Sequence, residues 1–148
     1  MTTTEIKITT ARIPVLIGKG GKTKRDIEKK TGTTLTIDSE DGLVEIDGED
    51  AIAVMRTTEL VRAINRGFSP ERAATIFEDE DMMLDIIDLS SVCTTPKQME
   101  RLRGRIIGKE GRAREQIEDM SGAILSVQGK TVAIIGMMDQ VKNARTAV

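Results

Sequence analysis

Ile17-Gly18-Lys19-Gly20-Gly21-Lys22 recurs ninety residues later as Ile107-Gly108-Lys109-Glu110-Gly111-Arg112, and the reading of the chain turns on this pair. Each copy opens a basic helix. Glycines ahead of a helix N-terminus let backbone approach a ligand closely, and the exposed amides at the positive end of the helix dipole favour an anion such as phosphate. Both copies therefore read as phosphate-gripping loops.

The repeat extends beyond the loops. At the same offset Ile27 matches Ile117, Glu28 matches Glu118, Gly32 matches Gly122 and Leu35 matches Leu125, so eight positions are identical between residues 17 and 37. After a turn shortened by two residues, Val44/Val132, Ile46/Ile134 and Gly48/Gly136 continue the register. A length of 148 residues suits one ordinary domain or two very small ones, and whole-domain duplication favours two.

A formal net charge of −2 conceals a separation of signs. Seven basic and two acidic residues between Arg12 and Lys30 sum to +5, and the same counts between Lys97 and Arg114 sum to +5 again. Asp38 to Thr95 holds fifteen carboxylates against four arginines, a net of −11. A polyanion would thus meet two attractive patches, each on a glycine loop, in an otherwise repelling chain.

Composition narrows the chemistry. The chain has no histidine, which removes the commonest metal ligand and the commonest neutral-pH acid-base group, so no metal site, cofactor or catalytic residue is expected. Phe68 and Phe77 are its only aromatic residues, so base-stacking platforms are absent and any nucleic-acid grip must be aliphatic and electrostatic. Cys93, the single cysteine, reads as a half-buried filler. No run approaches the roughly 18 apolar residues that span a bilayer, and the N-terminus lacks the basic and apolar regions of a signal peptide. A cytoplasmic location and no membrane contact are the expectation.

In chain order, Glu5 to Thr9 alternates as a strand, and Ala11 to Ile17 reads as a short helix with Pro14 in its first turn. A second helix follows at Lys22–Thr31, anchored chiefly by Ile27 and stopped by Gly32. Thr33–Ile37 and Leu43–Ile46 form an antiparallel pair, and Glu49–Arg66 a closing helix. Residues 68–81 read as an acidic linker with a short helix, Ser69 as its N-cap and Pro70 at its first position. The second unit then repeats the order. It has a strand at Leu84–Leu89, a capping box at Thr95-Pro96-Lys97-Gln98, a basic helix reaching Arg103, and a last helix from about Met138 that reads as truncated at Val148.

With that order and the GxxG loops in place, each half resembles a KH domain. The resemblance implies an α+β fold: two type I KH domains in tandem, each β-α-α-β-β-α, with a three-stranded antiparallel sheet and helices on one face. The expected domains are 1–67 and 82–148. It also implies that each loop and its following helix clamp about four nucleotides by their backbone. The strings F-S-P-E-R at Phe68–Arg72, G-R-I-I-G-K-E-G-R-A-R at Gly104–Arg114 and G-K-T-V-A-I-I-G at Gly129–Gly136 resemble most closely the archaeal members of the small-subunit rRNA-processing family Partner of Nob One. The expectation is then a non-catalytic factor that binds single-stranded RNA, namely precursor small-subunit rRNA near its 3′ end, beside an endonuclease and other assembly factors. Carried over by position, the RNA-binding residues are Gly18, Lys19, Gly20, Gly21, Lys22, Lys24 and Arg25 in the first half. In the second they are Arg103, Arg105, Gly108, Lys109, Glu110, Gly111, Arg112 and Arg114. Ile13, Leu16, Ile17, Ile37, Ile106, Ile107 and Val127 would line the grooves or simply pack the core.

Three rival readings remain at this point. Gly21-Lys22-Thr23 mimics the end of a Walker A loop, but position 16, where that motif needs glycine, is Leu16. A protein-binding scaffold would not need +5 around both loops. A KH protein acting on mRNA or other RNAs shares every residue-level feature of the rRNA reading. Between the loops, the second is expected to make the sequence-selective contacts, because its flanking arginines can bond phosphates and base edges bidentately.

Overall fold

Alternation at the N-terminus becomes strand β1, Thr2–Lys7, in the computed structural model, which describes all 148 residues. The strand starts three residues before the expected one because it pairs along the whole of β3, Leu43–Gly48, from Thr2 opposite Gly48 to Lys7 opposite Leu43. On the other side of β3 lies β2, Thr34–Asp38, also antiparallel, giving the sheet order β1-β3-β2. A 3-10 turn at Thr10–Arg12 leads into α1, Ile13–Ile17; α2 spans Lys22–Thr31 and α3 spans Ala51–Asn65. Val44, Ile46 and Leu35 from the sheet, Leu16 from α1, Ile27 from α2 and Val54, Val61 and Ile64 from α3 are buried and make the core. Asp50 rather than Glu49 begins α3, its carboxylate accepting from the backbone N–H of Ile52 at 2.9 Å.

The second unit repeats the plan: β4 Met83–Asp88, α5 Pro96–Ile107, α6 Arg112–Ser121, β5 Ile124–Gln128, β6 Thr131–Gly136 and α7 Met138–Ala147, with sheet order β4-β6-β5. Leu89, Ile106, Leu125, Val132, Ile134 and Val141 form its core. Met1–Ala74 and Thr75–Val148 are the two compact units. Between residues 68 and 81, α4 covers Pro70–Ala73 and a 3-10 turn covers Ala74–Phe77; Phe68, Ala73 and Ile76 are buried, whereas Glu78 to Asp81 are exposed.

Two local expectations need correction. The basic helix does not stop at Arg103: α5 runs through Gly104 to Ile107, and the N–H of Gly108 donates to Gly104 at 2.8 Å. Gly104 has open space around it, and a helix-interior glycine costs only about 1 kcal/mol, which burial of Ile106 offsets. At the start of α5, Thr95 accepts from the N–H of Gln98 at 3.2 Å, but the returning arm differs. Gln98 Oε1 accepts from the N–H and hydroxyl of Thr94, at 2.9 and 3.0 Å, one residue before the cap.

The repeated Glu28 and Glu118 are tethers between helix and sheet. Glu28 Oε2 accepts from the N–H of Leu35 at 2.9 Å, and Glu118 Oε2 accepts from the N–H of Leu125 at 2.8 Å. Just beyond, Thr31 and Ser121 bond back to the carbonyls of Ile27 and Ile117 at 2.7 and 2.6 Å, and each hydroxyl accepts the N–H two residues on. The end of each GxxG helix is thereby fastened to the strand that follows. Glu28→Ala and Glu118→Ala each strand a part-buried N–H and should cost about 1–3 kcal/mol in urea denaturation, with circular dichroism of the folded state unchanged.

Candidate nucleic-acid interface

Each glycine loop is a left-handed reversal four residues long. Gly18, Gly20 and Gly21 have φ of +74°, +61° and +79°; Gly108, Glu110 and Gly111 have +71°, +55° and +76°. The first glycine of each loop is held twice over. Its N–H donates back into the preceding helix, Gly18 to Pro14 at 2.9 Å and Gly108 to Gly104 at 2.8 Å. A Cβ on Gly18 would lie 2.2 Å from Thr23 Oγ1 and 2.8 Å from the Thr23 nitrogen, and one on Gly108 would lie 2.7 Å from the Ala113 nitrogen. Only glycine lets the loop press this closely on the next helix.

That helix begins without a side-chain cap in both units. Asp50, Ser69 and Thr95 cap α3, α4 and α5, but Gly21 and Gly111 offer no side chain to α2 and α6. The first-turn amides of α2 and α6 therefore stay free of a side-chain cap beside the turn, where the helix dipole adds partial positive charge. A phosphate oxygen is the natural acceptor.

The expected cations divide by what holds them. Lys19, Lys22, Lys109 and Arg112 are exposed on the turns and first helical residues, as Arg105 is on α5. Arg25 is exposed too, but its Nη1 donates to the carbonyl of Gly20 at 2.7 Å, so it braces the first loop. Lys24 lies 3.3 Å from Glu28 on the same helix. Arg114 and Arg103 are half-buried, and Arg103 stands on α5 before the loop. Glu110 is exposed and 3.6 Å from Arg112, an ion pair worth little in water. Arg12, which contributes to the first patch's +5, is not available at all. It donates to the carbonyls of Ile64 and Phe68 at 2.8 and 2.9 Å, closing the end of α3, and burial lowers its pKa from the ordinary guanidinium value.

Beside the first loop, Thr10, Ile13, Pro14, Ile17, Gly18 and Ser39 line a groove of about 390 Å³ between α1 and the turn joining β2 to β3. Of the aliphatic residues expected to line grooves, Ile13, Leu16 and Ile106 are buried core, whereas Ile17, Ile37, Ile107 and Val127 are half-exposed. The tethers Glu28 and Glu118 and the brace Arg25 were not legible as such; the eight-residue identity held the signal for the first two.

Residues 83–148 match the family model described as a eukaryotic-type, type I KH domain, whose label names the second domain of PNO1, and residues 3–63 match the general KH domain model. The crystal structure of Dim2p from Pyrococcus horikoshii is 50% identical, with a TM-score of 0.91 over 99% of this chain and 87% of that one. The chain belongs to the tandem KH-domain family of Dim2 and pno-1 proteins.

A second Pyrococcus horikoshii structure holds aDim2p in a complex with a/eIF2α and rRNA, again with 50% identity and a TM-score of 0.91, over 98% of this chain and 81% of that one. A KH domain-containing protein of Methanocaldococcus jannaschii is 45% identical over 147 residues, covering 97% of this chain and 64% of that protein. The RNA-binding protein pno-1 of Caenorhabditis elegans is 30% identical over 105 residues, 70% of this chain and 38% of its own length. The chain thus spans less than two thirds of these curated relatives. In this Dim2-type chain two of the three glycines of the first loop differ in what they tolerate. Gly20→Ala meets only backbone strain and should cost about 1 kcal/mol, while Gly18→Ala must also displace Thr23 and should cost clearly more; chemical denaturation of the two variants checks the order.

Proposed function

We propose that the chain is a non-catalytic RNA-binding protein that grips single-stranded precursor small-subunit rRNA near its 3′ end, as a cytoplasmic ribosome-assembly factor. The observation that carries this reading is the twin left-handed glycine turn, each opening an uncapped helix inside a basic patch. A 50% identical neighbour whose structure includes rRNA supports the choice of ligand. KH folds act by binding, and the lack of histidine removes the commonest neutral-pH proton carrier.

In this reading the units at 1–67 and 82–148 each act as a clamp, with 68–81 between them. The turns at Gly18–Gly21 and Gly108–Gly111 seat the phosphates against the uncapped N-termini of α2 and α6. Lys19 and Lys22 in the first unit, and Arg105, Lys109, Arg112 and Arg114 in the second, neutralise the strand. An rRNA-processing endonuclease and other assembly factors are the protein partners the family resemblance supports.

Lys109→Asp combined with Glu110→Asp places negative charge in the second loop and keeps its glycines. Affinity for single-stranded RNA should fall at least tenfold in fluorescence anisotropy, and the slope of log K against log salt should shrink by about 0.7, the share of one phosphate contact. Unchanged affinity in this variant and in Lys19→Asp would sink the clamp. Crosslinking in cells followed by sequencing of attached RNA should recover precursor small-subunit rRNA; recovery of mRNA or tRNA without it would reject the assembly role.

A further inference from the structure

Lys97, Arg101 and Arg105 stand about one helical turn apart along α5, all exposed, and the series continues at Lys109 on the glycine turn itself. At 1.5 Å per residue the helical part of this row is about 12 Å long, in steps of about 6 Å, the order of the spacing between successive phosphates of one strand. No ion pair or hydrogen bond within the protein holds any of its three helical side chains.

The row works against the helix that carries it. Like charges four residues apart repel, and Lys97 sits in the first turn, at the positive end of the dipole. Nor does the fold require it. In the first unit α1 is five residues long and carries no basic residue, and the positions ninety residues before Arg101 and Arg105 are Ala11 and Val15. Cations that weaken their own helix and have no anion in the chain are placed for an anion outside it.

The direction of the row sets it apart from the clamp. Glu100 and Arg103, on the other flank of α5, line the second unit's counterpart of the groove beside the first loop. Arg101 and Arg105 instead line a shallow depression of about 350 Å³ with Val92 and Leu102, and no residue of α5 lines both. Guanidinium groups beside Val92, which is 70% exposed, suit phosphate and the face of a ribose. The depression has no aromatic residue on which an unstacked base could lie. In duplex RNA the bases stay stacked, and recognition falls to backbone phosphates and ribose hydroxyls. A straight, rigid row of cations fits that regular backbone, whereas a flexible strand would first have to be ordered along it.

We propose that the α5 row docks the backbone of an A-form RNA duplex adjoining the single strand held by the second glycine turn. The proposal rests on the RNA-binding reading above for the single strand, and the experiment separates the two. Fluorescence anisotropy of the full chain compares a single-stranded RNA with the same strand extended into a stable hairpin at its 5′ end or at its 3′ end. One of the two extended RNAs should bind at least tenfold more tightly than the bare strand. Lys97→Gln combined with Arg101→Gln should bring that RNA down to the bare-strand affinity, change bare-strand binding less than twofold, and leave the urea midpoint unchanged or raised. The Lys109→Asp, Glu110→Asp protein should lose the bare strand yet keep its preference for the hairpin RNA. Failure of the clamp shows as unchanged bare-strand affinity in that loop variant. Equal affinity for all three RNAs, a hairpin gain that survives Lys97→Gln with Arg101→Gln, or an equal loss on bare and extended RNAs would overturn the duplex proposal.

Discussion

The left-handed reversal between the first two helices of each unit is the constraint on which the site depends. Positive φ at three of four residues ends one helix and starts the next within a single turn, with no length left for a capping side chain. The first glycine sits so close to the next helix that any side chain would collide. At the second loop Glu110 occupies the left-handed region that glycine holds in the first, at a cost of about 1–2 kcal/mol. Such strain persists only where surroundings over-determine it. Here the bond from Gly108 to Gly104 fixes one side, and the Glu118 tether fixes the helix on the other.

Charge is spent unevenly between the two units. In the first, Arg12 closes the end of α3, Arg25 braces the loop and Lys24 leans on Glu28, so Lys19 and Lys22 are the basic groups left at the turn itself. In the second, the first helix is twelve residues long against five in α1, and it carries arginines up to and around the loop. Net charge counted along the sequence treats these patches as equal. Their availability to a polyanion is not equal, because a guanidinium already bonded to carbonyl oxygen has little left to offer a phosphate.

Much of the fold was readable from residue pattern. The bounds of α2 follow from Lys22 and Gly32, the strands of the first sheet from β-branched alternation, and the duplication from the ninety-residue register. Misplaced boundaries have local causes. The basic helix is expected to reach Arg103, yet tertiary burial of Ile106 carries α5 on through Gly104, and β1 extends to Thr2 because its partner strand is long enough to pair it.

What the sequence determined by itself was the presence of two glycine turns, their basic surroundings and the β-α-α-β-β-α order, since each follows from local conformational preference and spacing. Tertiary structure alone decided which charges are free. Arg12 and Arg103 look alike in a charge count, one residue apart in the aligned repeats. A rotation of about 100° around a helix, invisible without neighbours in place, sends one into backbone carbonyls and leaves the other on the wall of a groove.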